Sequence, residues 1–294
     1  MPRNTSKKLK FIDLFAGIGG FHLAFHENGA ECVFASEWDD HARKTYEANF
    51  KKISPEIFKN GNFAGDITKV DPKKIPDFDI ICGGFPCQPF SQAGHKKGFD
   101  DNRGNLFFHI AEIIRIKKPK AFFLENVRHL FKHDNGKTFA RIKDILENDL
   151  GYTLNYKIVK GTDFNIPQHR PRLFMVGFRN NKIKFDFPKP LELKKTMSDI
   201  FGAPCEKKVG YTLRVGGRGS AITDRRNWDS YRVNGKVVRL GVEEGKKMMG
   251  LPRNFIFPVT YTQTMKQMGN AVVVPAISAT AKEIVKTLNK HYVD

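Results

Sequence analysis

Short runs of aromatic and β-branched residues alternate with longer runs of helical periodicity from residue 10 to about residue 180. The short runs KFIDLF, ECVFAS, FDIICGG, KAFFLEN and RLFMVGF have the composition of buried strands. Between them, apolar residues recur at helical spacing from Leu106 to Ile114 before Pro119, and the run KTFARIKDILENDLG ends on Gly151, a residue typical of helix C-termini. This alternation predicts an α/β fold in which crossover helices connect the strands of a parallel sheet.

The pattern changes near residue 189, where Gly, Arg, Lys and Asp become frequent and the apolar runs shorten. Helical periodicity returns in the tail ISATAKEIVKTLNK, with Ile277, Ile284 and Leu288 on one face. We therefore expect a first domain over residues 1–188, a small second domain over 189–262, and a segment over 263–294 that returns to the first domain.

The amino-acid composition indicates a class of binding partner. The 50 Lys and Arg residues exceed the 31 Asp and Glu residues by 19, which favours a polyanion such as nucleic acid as the partner. The four cysteines show no zinc-binding spacing and no disulfide density, which predicts reduced thiols and no metal site. The longest apolar run, AVVVPAISATA, is too short to span a membrane and is interrupted by Pro275, so neither secretion nor membrane insertion is expected.

A glycine-rich turn follows the first predicted strand. The sequence FIDLFAGIGGF places Gly17, Gly19 and Gly20 between a strand and a helix, where a backbone without side chains can approach a ligand. A tight turn without a ligand explains such glycines equally well.

The residues after the second strand favour a ligand-binding turn over a tight turn without a ligand. Glu37 lies 20 positions after Gly17, where a carboxylate can accept hydrogen bonds from ribose hydroxyls, and Trp38 offers an aromatic face to a purine. His22 occupies the position of the third glycine of the dinucleotide fingerprint, so a pyrophosphate is disfavoured. The pattern therefore indicates a nucleoside cofactor, and S-adenosylmethionine fits it better than NAD.

A cysteine lies on a proline-rich loop after another strand. In GGFPCQPFS, Cys87 stands between Pro86 and Pro89 rather than in an apolar stripe, so both a nucleophile and an unreactive loop thiol are possible interpretations. Cys32, Cys82 and Cys205 are interpreted as structural thiols.

The segments FAGIGG, GGFPCQPFS, ENV, QHRPR and QMGN, in this order, resemble the bacterial DNA (cytosine-5)-methyltransferases of restriction-modification systems. The resemblance covers nearly the whole chain except residues 189–238. It implies a Rossmann-like, S-adenosylmethionine-dependent catalytic domain with a smaller, mostly β or irregular DNA-recognition domain. It also implies that Cys87 is the nucleophile, that Glu125 holds the cytosine, and that Arg170 and Arg172 support the site.

The chemistry explains these residue types. Addition of a thiolate to C6 makes cytosine C5 nucleophilic, and a carboxyl group at N3 can stabilise the electron density that develops in the ring. The base must leave the DNA stack to be reached. Gln168, Arg170 and Arg172 alternate, so they would share one face if this segment is a strand.

The resemblance assigns cofactor contacts residue by residue. These are Phe15, Gly17, Gly19, Gly20, Glu37, Trp38, Asp66, Ile67, Leu106, Asn270 and Val272.

Two basic segments are expected to bind double-stranded DNA. The loop from Ser91 to Asn105, with Ser91, Lys96, Lys97 and Arg103, suits a lid that folds onto DNA, although an ordinary solvated loop has the same composition. In the small domain, Arg214, Arg218, Arg225, Arg226 and Arg232 suit recognition of a guanine-containing sequence, although arginines also bind phosphate without reading sequence.

The sequence departs from the family pattern at three positions. Gly241 stands where the family commonly has Thr or Ser, Lys247 where it has Arg, and Ala271 where it often has Ser. Glu244 and Lys247 are spaced so that they can still pair on a helix.

Three other functions remain as alternatives: a tRNA cytosine-5-methyltransferase, a NAD-dependent oxidoreductase and a non-catalytic DNA-binding protein. Phe85 before the Pro-Cys pair and Ser91-Gln92 after it favour a DNA enzyme over the tRNA enzyme. We expect a monomer, because the DNA contacts do not require symmetry. The resemblance further implies an enzyme of the bacterial cytoplasm, associated with the nucleoid and functionally paired with a restriction endonuclease.

Overall fold

The computed structural model describes residues 8–59, 61–86 and 106–292, and its centre is a seven-stranded sheet. Two further strands form a separate hairpin. In chain order the strands are β1 (Lys10–Leu14), β2 (Glu31–Ser36), β3 (Phe63–Ala64), β4 (Ile80–Gly84), β5 (Ala121–Val127), β6 (Asn155–Val159), β7 (Arg172–Phe178), β8 (Ser230–Val233) and β9 (Lys236–Arg239). The five strands predicted from the sequence are confirmed as β1, β2, β4, β5 and β7.

The large sheet has the order β3-β2-β1-β4-β5-β7-β6. The strands from β3 to β5 pair in parallel, as predicted, whereas β7 runs antiparallel to both β5 and β6. The expectation of a wholly parallel sheet is therefore wrong at this end. The connection between β6 and β7 is 160–171 and holds only one 3₁₀ turn, so the chain has no crossover helix that would return it in parallel.

Helices cover both faces of the large sheet. They are α1 (Gly20–Glu27), α2 (Asp40–Phe50), α3 (Leu106–Lys117), α4 (Lys137–Asp144), α5 (Met197–Phe201), α6 (Val242–Met249), α7 (Tyr261–Asn270) and α8 (Val274–His291). Apolar residues of α3 and α4, including Phe107 and Ile142, form one core with the sheet. Helices α1 and α8 contribute to the other core and contact each other, and there the Asn28 amide donates to the Ser278 carbonyl oxygen at 3.2 Å.

The segment between β7 and α6 is mostly irregular around the hairpin of β8 and β9. Its anchor is Trp228, which is 1% exposed and donates its indole N–H to the Gly216 carbonyl oxygen at 2.9 Å. Trp228 and Tyr231 belong to the same buried cluster as Phe25 of α1, so this segment shares a core with the sheet. Among the residues described, no helix combines the length and apolar character needed to cross a membrane.

Candidate active site

The turn between β1 and α1 requires glycine at two positions. Gly19 has a φ of 86°, and a β-carbon there would lie 2.1 Å from the Phe50 ring. A β-carbon on Gly20 would lie 2.5 Å from the side chain of Val272. Gly17 and Phe15 also have positive φ, each 55°, which is uncommon for Phe15 because its β-carbon is crowded in that conformation. At the carboxyl end of β1 the turn is therefore packed closely against Phe50 and against Val272 from the last part of the chain.

Glu37 is held against this turn. One of its carboxylate oxygens accepts the Gly17 backbone N–H at 2.7 Å, and the other accepts the Asp39 N–H at 2.9 Å. Burial raises the pKa of Glu37, and these backbone hydrogen bonds oppose the rise. The neighbouring Trp38 is 81% exposed. The strand end therefore presents a fixed carboxylate beside an uncovered aromatic ring.

The other residues expected to contact the cofactor lie on three further elements. Asp66 and Ile67 follow β3, and Asp66 caps the turn Ile67–Lys69 by accepting the Thr68 N–H at 3.0 Å. Leu106 begins α3, which packs against that same turn. Asn270 is the exposed last residue of α7.

Glu125 and Arg172 meet where β5 ends and β7 begins. Arg172 Nε lies 2.8 Å from Glu125 Oε1. Glu125 is 7% exposed, and burial raises its pKa, while the positive charges of Arg172 and Arg170 lower it. This carboxyl group therefore binds a proton more readily than an exposed glutamate does, although an arginine holds it in place.

Asn126 connects this strand end to the strand that precedes the cysteine loop. Its side-chain amide donates to the Phe85 carbonyl oxygen at 2.8 Å, and its side-chain oxygen accepts the Val127 N–H at 2.8 Å. In the sequence Asn126 stands within the ENV motif, and no pattern there indicates a role of its own. Phe85 lies two positions before Cys87, so Asn126 fixes the start of that loop.

Cys87 and the predicted lid residues Ser91, Lys96, Lys97 and Arg103 lie outside the described residues.

Arg170 does not share a strand face with Arg172. Strand β7 begins at Arg172, and Arg170 has a φ of 26°, so the expected alternation of Gln168, Arg170 and Arg172 along one strand is wrong. The reason is tertiary: the buried Arg170 guanidinium donates to the carbonyl oxygens of Leu213 and Gly269, each at 2.9 Å, and to that of Ala271. Burial and the charge of Arg172 lower the pKa of Arg170 to about 9.

Gln168 also binds the segment around Leu213. Its side-chain oxygen accepts the Leu213 N–H at 3.1 Å, and its amide donates to the Met248 carbonyl oxygen at 2.8 Å. The backbone N–H of Gly210 donates to Pro167 at 2.8 Å. Side chains of the QHRPR segment therefore bind main-chain atoms at the start of the arginine-rich segment, and no local sequence pattern reveals these contacts.

The arginines expected to bind DNA have different surroundings. Arg226 pairs with Asp224 at 2.8 Å, Arg232 lies 3.7 Å from Glu206, and Arg214 donates to the Arg226 carbonyl oxygen at 2.6 Å. Hydrogen bonds from Arg226 lower the pKa of Asp224 to about 2. Arg225 is exposed, and the described part of the chain offers it no carboxylate within ion-pair distance.

Arg218 is fixed by an aromatic ring and a buried carboxylate. Its guanidinium carbon lies 4.3 Å from the centre of the Tyr261 ring, and it also donates to the Tyr261 hydroxyl. Asp229 is fully buried, lies 3.9 Å from Arg218 Nε, and accepts the Gly219 N–H at 3.2 Å. These contacts orient the Arg218 side chain before any ligand binds.

The departures from the family pattern have local explanations at α6. Lys247 donates to the Ile200 carbonyl oxygen at 2.8 Å, and Glu244 accepts the Gly241 N–H at 2.9 Å. The expected pairing of Glu244 with Lys247 is therefore wrong, because each side chain binds a backbone group instead. Ala271 follows α7 and accepts a hydrogen bond from Arg170 through its carbonyl oxygen, which needs no side chain.

A small cleft that is open to solvent lies beside the Glu125 and Arg172 pair. Its charged and polar lining comes from Glu125, Arg170, Arg172 and Lys160, and Val272 and Phe174 contribute apolar surface. Lys160 belongs to none of the recognised motifs, so its place here was not predicted from the sequence.

Comparison with known proteins decides the family. The family model for C-5 cytosine-specific DNA methylases matches residues 9–215 and 212–286. The chain belongs to this family. It is a DNA cytosine-5-methyltransferase, as the resemblance predicted, and the interpretation as a NAD-dependent oxidoreductase is wrong.

Several type II methyltransferases of restriction-modification systems are similar to the enzyme over nearly their whole length. Identity is 42% with M.SsoII from Shigella sonnei, over 98% of this chain and 83% of the relative. Identity is 39% with M.HhaI from Haemophilus parahaemolyticus, over 96% of this chain and 95% of the relative. It is also 39% with M.HpaII from Haemophilus parainfluenzae, over 98% of this chain and 92% of the relative.

Solved structures share the fold at low identity. A putative DNA modification methyltransferase encoded within an Escherichia coli prophage has a TM-score of 0.71 at 20% identity, covering 96% of this chain and 100% of its own. A variant of Spodoptera frugiperda DNMT2 has a TM-score of 0.70 at 18% identity, covering 96% and 99%. These likenesses confirm the Rossmann-like α/β fold of a methyltransferase.

Proposed function

We propose that this enzyme methylates C5 of one cytosine in a specific duplex DNA sequence, with S-adenosylmethionine as the methyl donor, and so protects host DNA in a restriction-modification system. The observation that carries the proposal is the buried Glu125 held by Arg172 at 2.8 Å, at the sheet edge that leads to the Cys87 loop. A carboxyl group in this setting suits a ring nitrogen that gains electron density.

The residues around the glycine turn fit this cofactor. Each Glu37 oxygen accepts one backbone N–H and keeps a further lone pair for a ribose hydroxyl. Trp38 offers an uncovered face to adenine. At Gly17 no side-chain atom lies within 4 Å of the position that a β-carbon would take, so the backbone there is open to a ligand. When bound, S-adenosylmethionine supplies an electrophilic methyl group.

The catalytic roles follow from the chemistry of cytosine. The Cys87 thiolate adds to C6 and forms an S–C6 bond, while Glu125 holds a proton at N3. After C5 has gained the methyl group, solvent water takes up the C5 proton, the S–C6 bond breaks to release the Cys87 thiolate, and the proton at N3 returns to Glu125, which restores the aromatic ring. Both residues end the cycle in their starting state.

The two arginines have different proposed roles. Arg172 contacts Glu125 directly, so it orients the carboxyl group and limits the rise of its pKa. Arg170 is a positioning residue, because its guanidinium binds the carbonyl group that precedes Arg214 and the two carbonyl groups on either side of Asn270.

The DNA-binding residues can be ranked by the partners they already have. Arg218 is oriented but keeps donor capacity, and Arg225 is exposed, so we assign guanine reading to Arg218 and phosphate contact to Arg225. Arg214, Arg226 and Arg232 already bind protein groups and are assigned supporting roles.

The organisation into residues 1–188, 189–262 and 263–294 remains our proposal, with recognition assigned to the middle unit. Ser91, Lys96, Lys97 and Arg103 keep their proposed role as a lid over the DNA. We further propose that the enzyme acts as a monomer alongside a restriction endonuclease that cleaves the same sequence.

Methyl transfer tests the proposal. The purified enzyme is incubated with tritiated S-adenosylmethionine and unmethylated genomic DNA, and bisulfite sequencing maps the modified cytosines. We expect label at one recurring cytosine context, its loss in Cys87→Ser, and its retention in the control Cys205→Ser, which removes a partly buried thiol elsewhere. Absence of transfer by the wild-type enzyme, or full activity of Cys87→Ser, contradicts the proposal.

A further inference from the structure

Lys160 lies at the same sheet edge as Glu125 and Arg172. Arg172 is paired across the sheet with Val127 on one side and with Val159 on the other. Lys160 directly follows Val159, and β6 runs in the same direction as β5 because both are antiparallel to β7. Lys160 therefore stands at the carboxyl end of the strands, where open α/β sheets bind their ligands.

The cleft brings Lys160 close to the residues of the target base. Lys160 lines the same solvent-open cleft as Glu125, Arg170 and Arg172. Its backbone N–H donates to Asp163 at 2.9 Å, so the main chain is anchored while the side chain is exposed to solvent.

The other cations of this cleft are already engaged. Arg172 binds Glu125 and also donates to the Pro171 carbonyl oxygen at 3.0 Å. Arg170 binds three backbone carbonyls. Among the residues described, no carboxylate pairs with the Lys160 ammonium group. Lys160 is therefore the cation in this lining that can neutralise an incoming anion.

We propose that Lys160 binds a DNA backbone phosphate next to the extruded cytosine, an inference that rests on the proposed function. Rotation of the nucleotide out of the stack carries its flanking phosphates toward the mouth of the base pocket. A lysine ammonium is a compact charge on a flexible stem, and it binds phosphate as a point charge without the fixed geometry of arginine. Lys160 is thus assigned to positioning the target strand rather than to reading sequence.

Salt dependence of DNA binding tests this assignment. An unmethylated duplex that contains the target sequence found by bisulfite sequencing is titrated into the wild-type enzyme, Lys160→Gln and Lys160→Arg. Each titration contains S-adenosylhomocysteine and is repeated over a range of salt concentrations. The control is Lys286→Gln, which removes the same charge from an exposed position of α8, about 18 Å along the helix axis from its start.

For Lys160→Gln we expect Kd to rise about 5- to 10-fold at low salt and the slope of log K against log salt to fall by roughly 1. Lys160→Arg and Lys286→Gln should keep the wild-type slope. Affinity for S-adenosylhomocysteine, measured by calorimetry without DNA, should be unchanged in all variants.

Two results overturn the proposal. An unchanged slope in Lys160→Gln shows that no phosphate contact was lost. Weaker binding of S-adenosylhomocysteine with an unchanged DNA slope places the ammonium group at the carboxylate of the cofactor instead. Failure of the proposed function is recognised separately, because the wild-type enzyme would then methylate no DNA.

Discussion

Removal of Arg172 alone should destabilise the enzyme more than removal of both members of the Glu125 and Arg172 pair. Arg172→Met leaves Glu125, which is 7% exposed, without its 2.8 Å partner. An uncompensated buried charge costs about 3–5 kcal/mol. Glu125→Gln should cost less, because the side chain of Arg172 is 18% exposed and keeps its bond to the Pro171 carbonyl oxygen.

The double variant Glu125→Gln/Arg172→Met removes both charges. The loss in free energy of unfolding should then be smaller than the sum of the two single losses by at least about 1.5 kcal/mol, because neither charge is left without a partner. Urea denaturation of all four proteins, followed by fluorescence, measures this difference. Additive losses would show that the pair contributes no mutual stabilisation and would refute the reasoning.

The same pair predicts a pH dependence. Burial raises the pKa of Glu125 in the folded enzyme, so this residue lowers stability progressively as pH rises above the unfolded value of 4.5. Loss of Arg172 removes a charge that lowers this pKa, so the cost of Arg172→Met should be larger near pH 8 than near pH 5. A cost that grows toward acid pH would contradict the assigned cause.

Three further variants test other parts of the structure. Trp38→Ala should raise the Kd for S-adenosylhomocysteine by about 5- to 30-fold, since it removes an aromatic stacking face, while unfolding changes by less than about 0.5 kcal/mol because the ring is exposed. Arg218→Ala should relax the methylated sequence in bisulfite maps, whereas Arg226→Ala should preserve it because Asp224 already neutralises Arg226. Burial lowers the pKa of His22 to about 3, so His22 should make stability fall by about 1.4 kcal/mol per pH unit as pH drops below 6.5, and His22→Gln should remove that contribution in urea titrations.

For each of these three variants a different result would contradict the prediction. Unchanged cofactor affinity in Trp38→Ala would separate the exposed ring from the cofactor. A relaxed sequence in Arg226→Ala, with Arg218→Ala unchanged, would reverse the ranking of the arginines. An acid dependence of stability that persists unaltered in His22→Gln would place its origin in other buried groups.

Local sequence predicted the central strands and the glycine turn because their determinants are close in the chain. The spacing of 20 positions between Gly17 and Glu37 predicted a shared site, and the two residues are joined by a hydrogen bond of 2.7 Å. Strand β6 was missed because it lies at the sheet edge, where Asn155 and Lys157 interrupt the apolar pattern that marks a buried strand.

Contacts between distant segments could not be predicted in the same way. Arg170 leaves the strand pattern to bind carbonyl groups 43 and 99 positions away, and Arg218 meets Tyr261 across 43 positions. Lys160 belongs to the site only because β6 lies beside β7. The residue types were visible in the sequence, but their partners depend on tertiary packing.

The contact between Gly20 and Val272 also constrains how the enzyme is made. These residues lie 252 positions apart, yet they form one wall of the proposed cofactor site. A nascent chain still lacking α7 and α8 can pair β1 with β2, but it lacks the Val272 side chain that packs on Gly20 and two of the three carbonyl groups that bind the Arg170 guanidinium. Because such distant contacts form late in folding, the sheet should assemble first and cofactor binding should mark the last step of maturation.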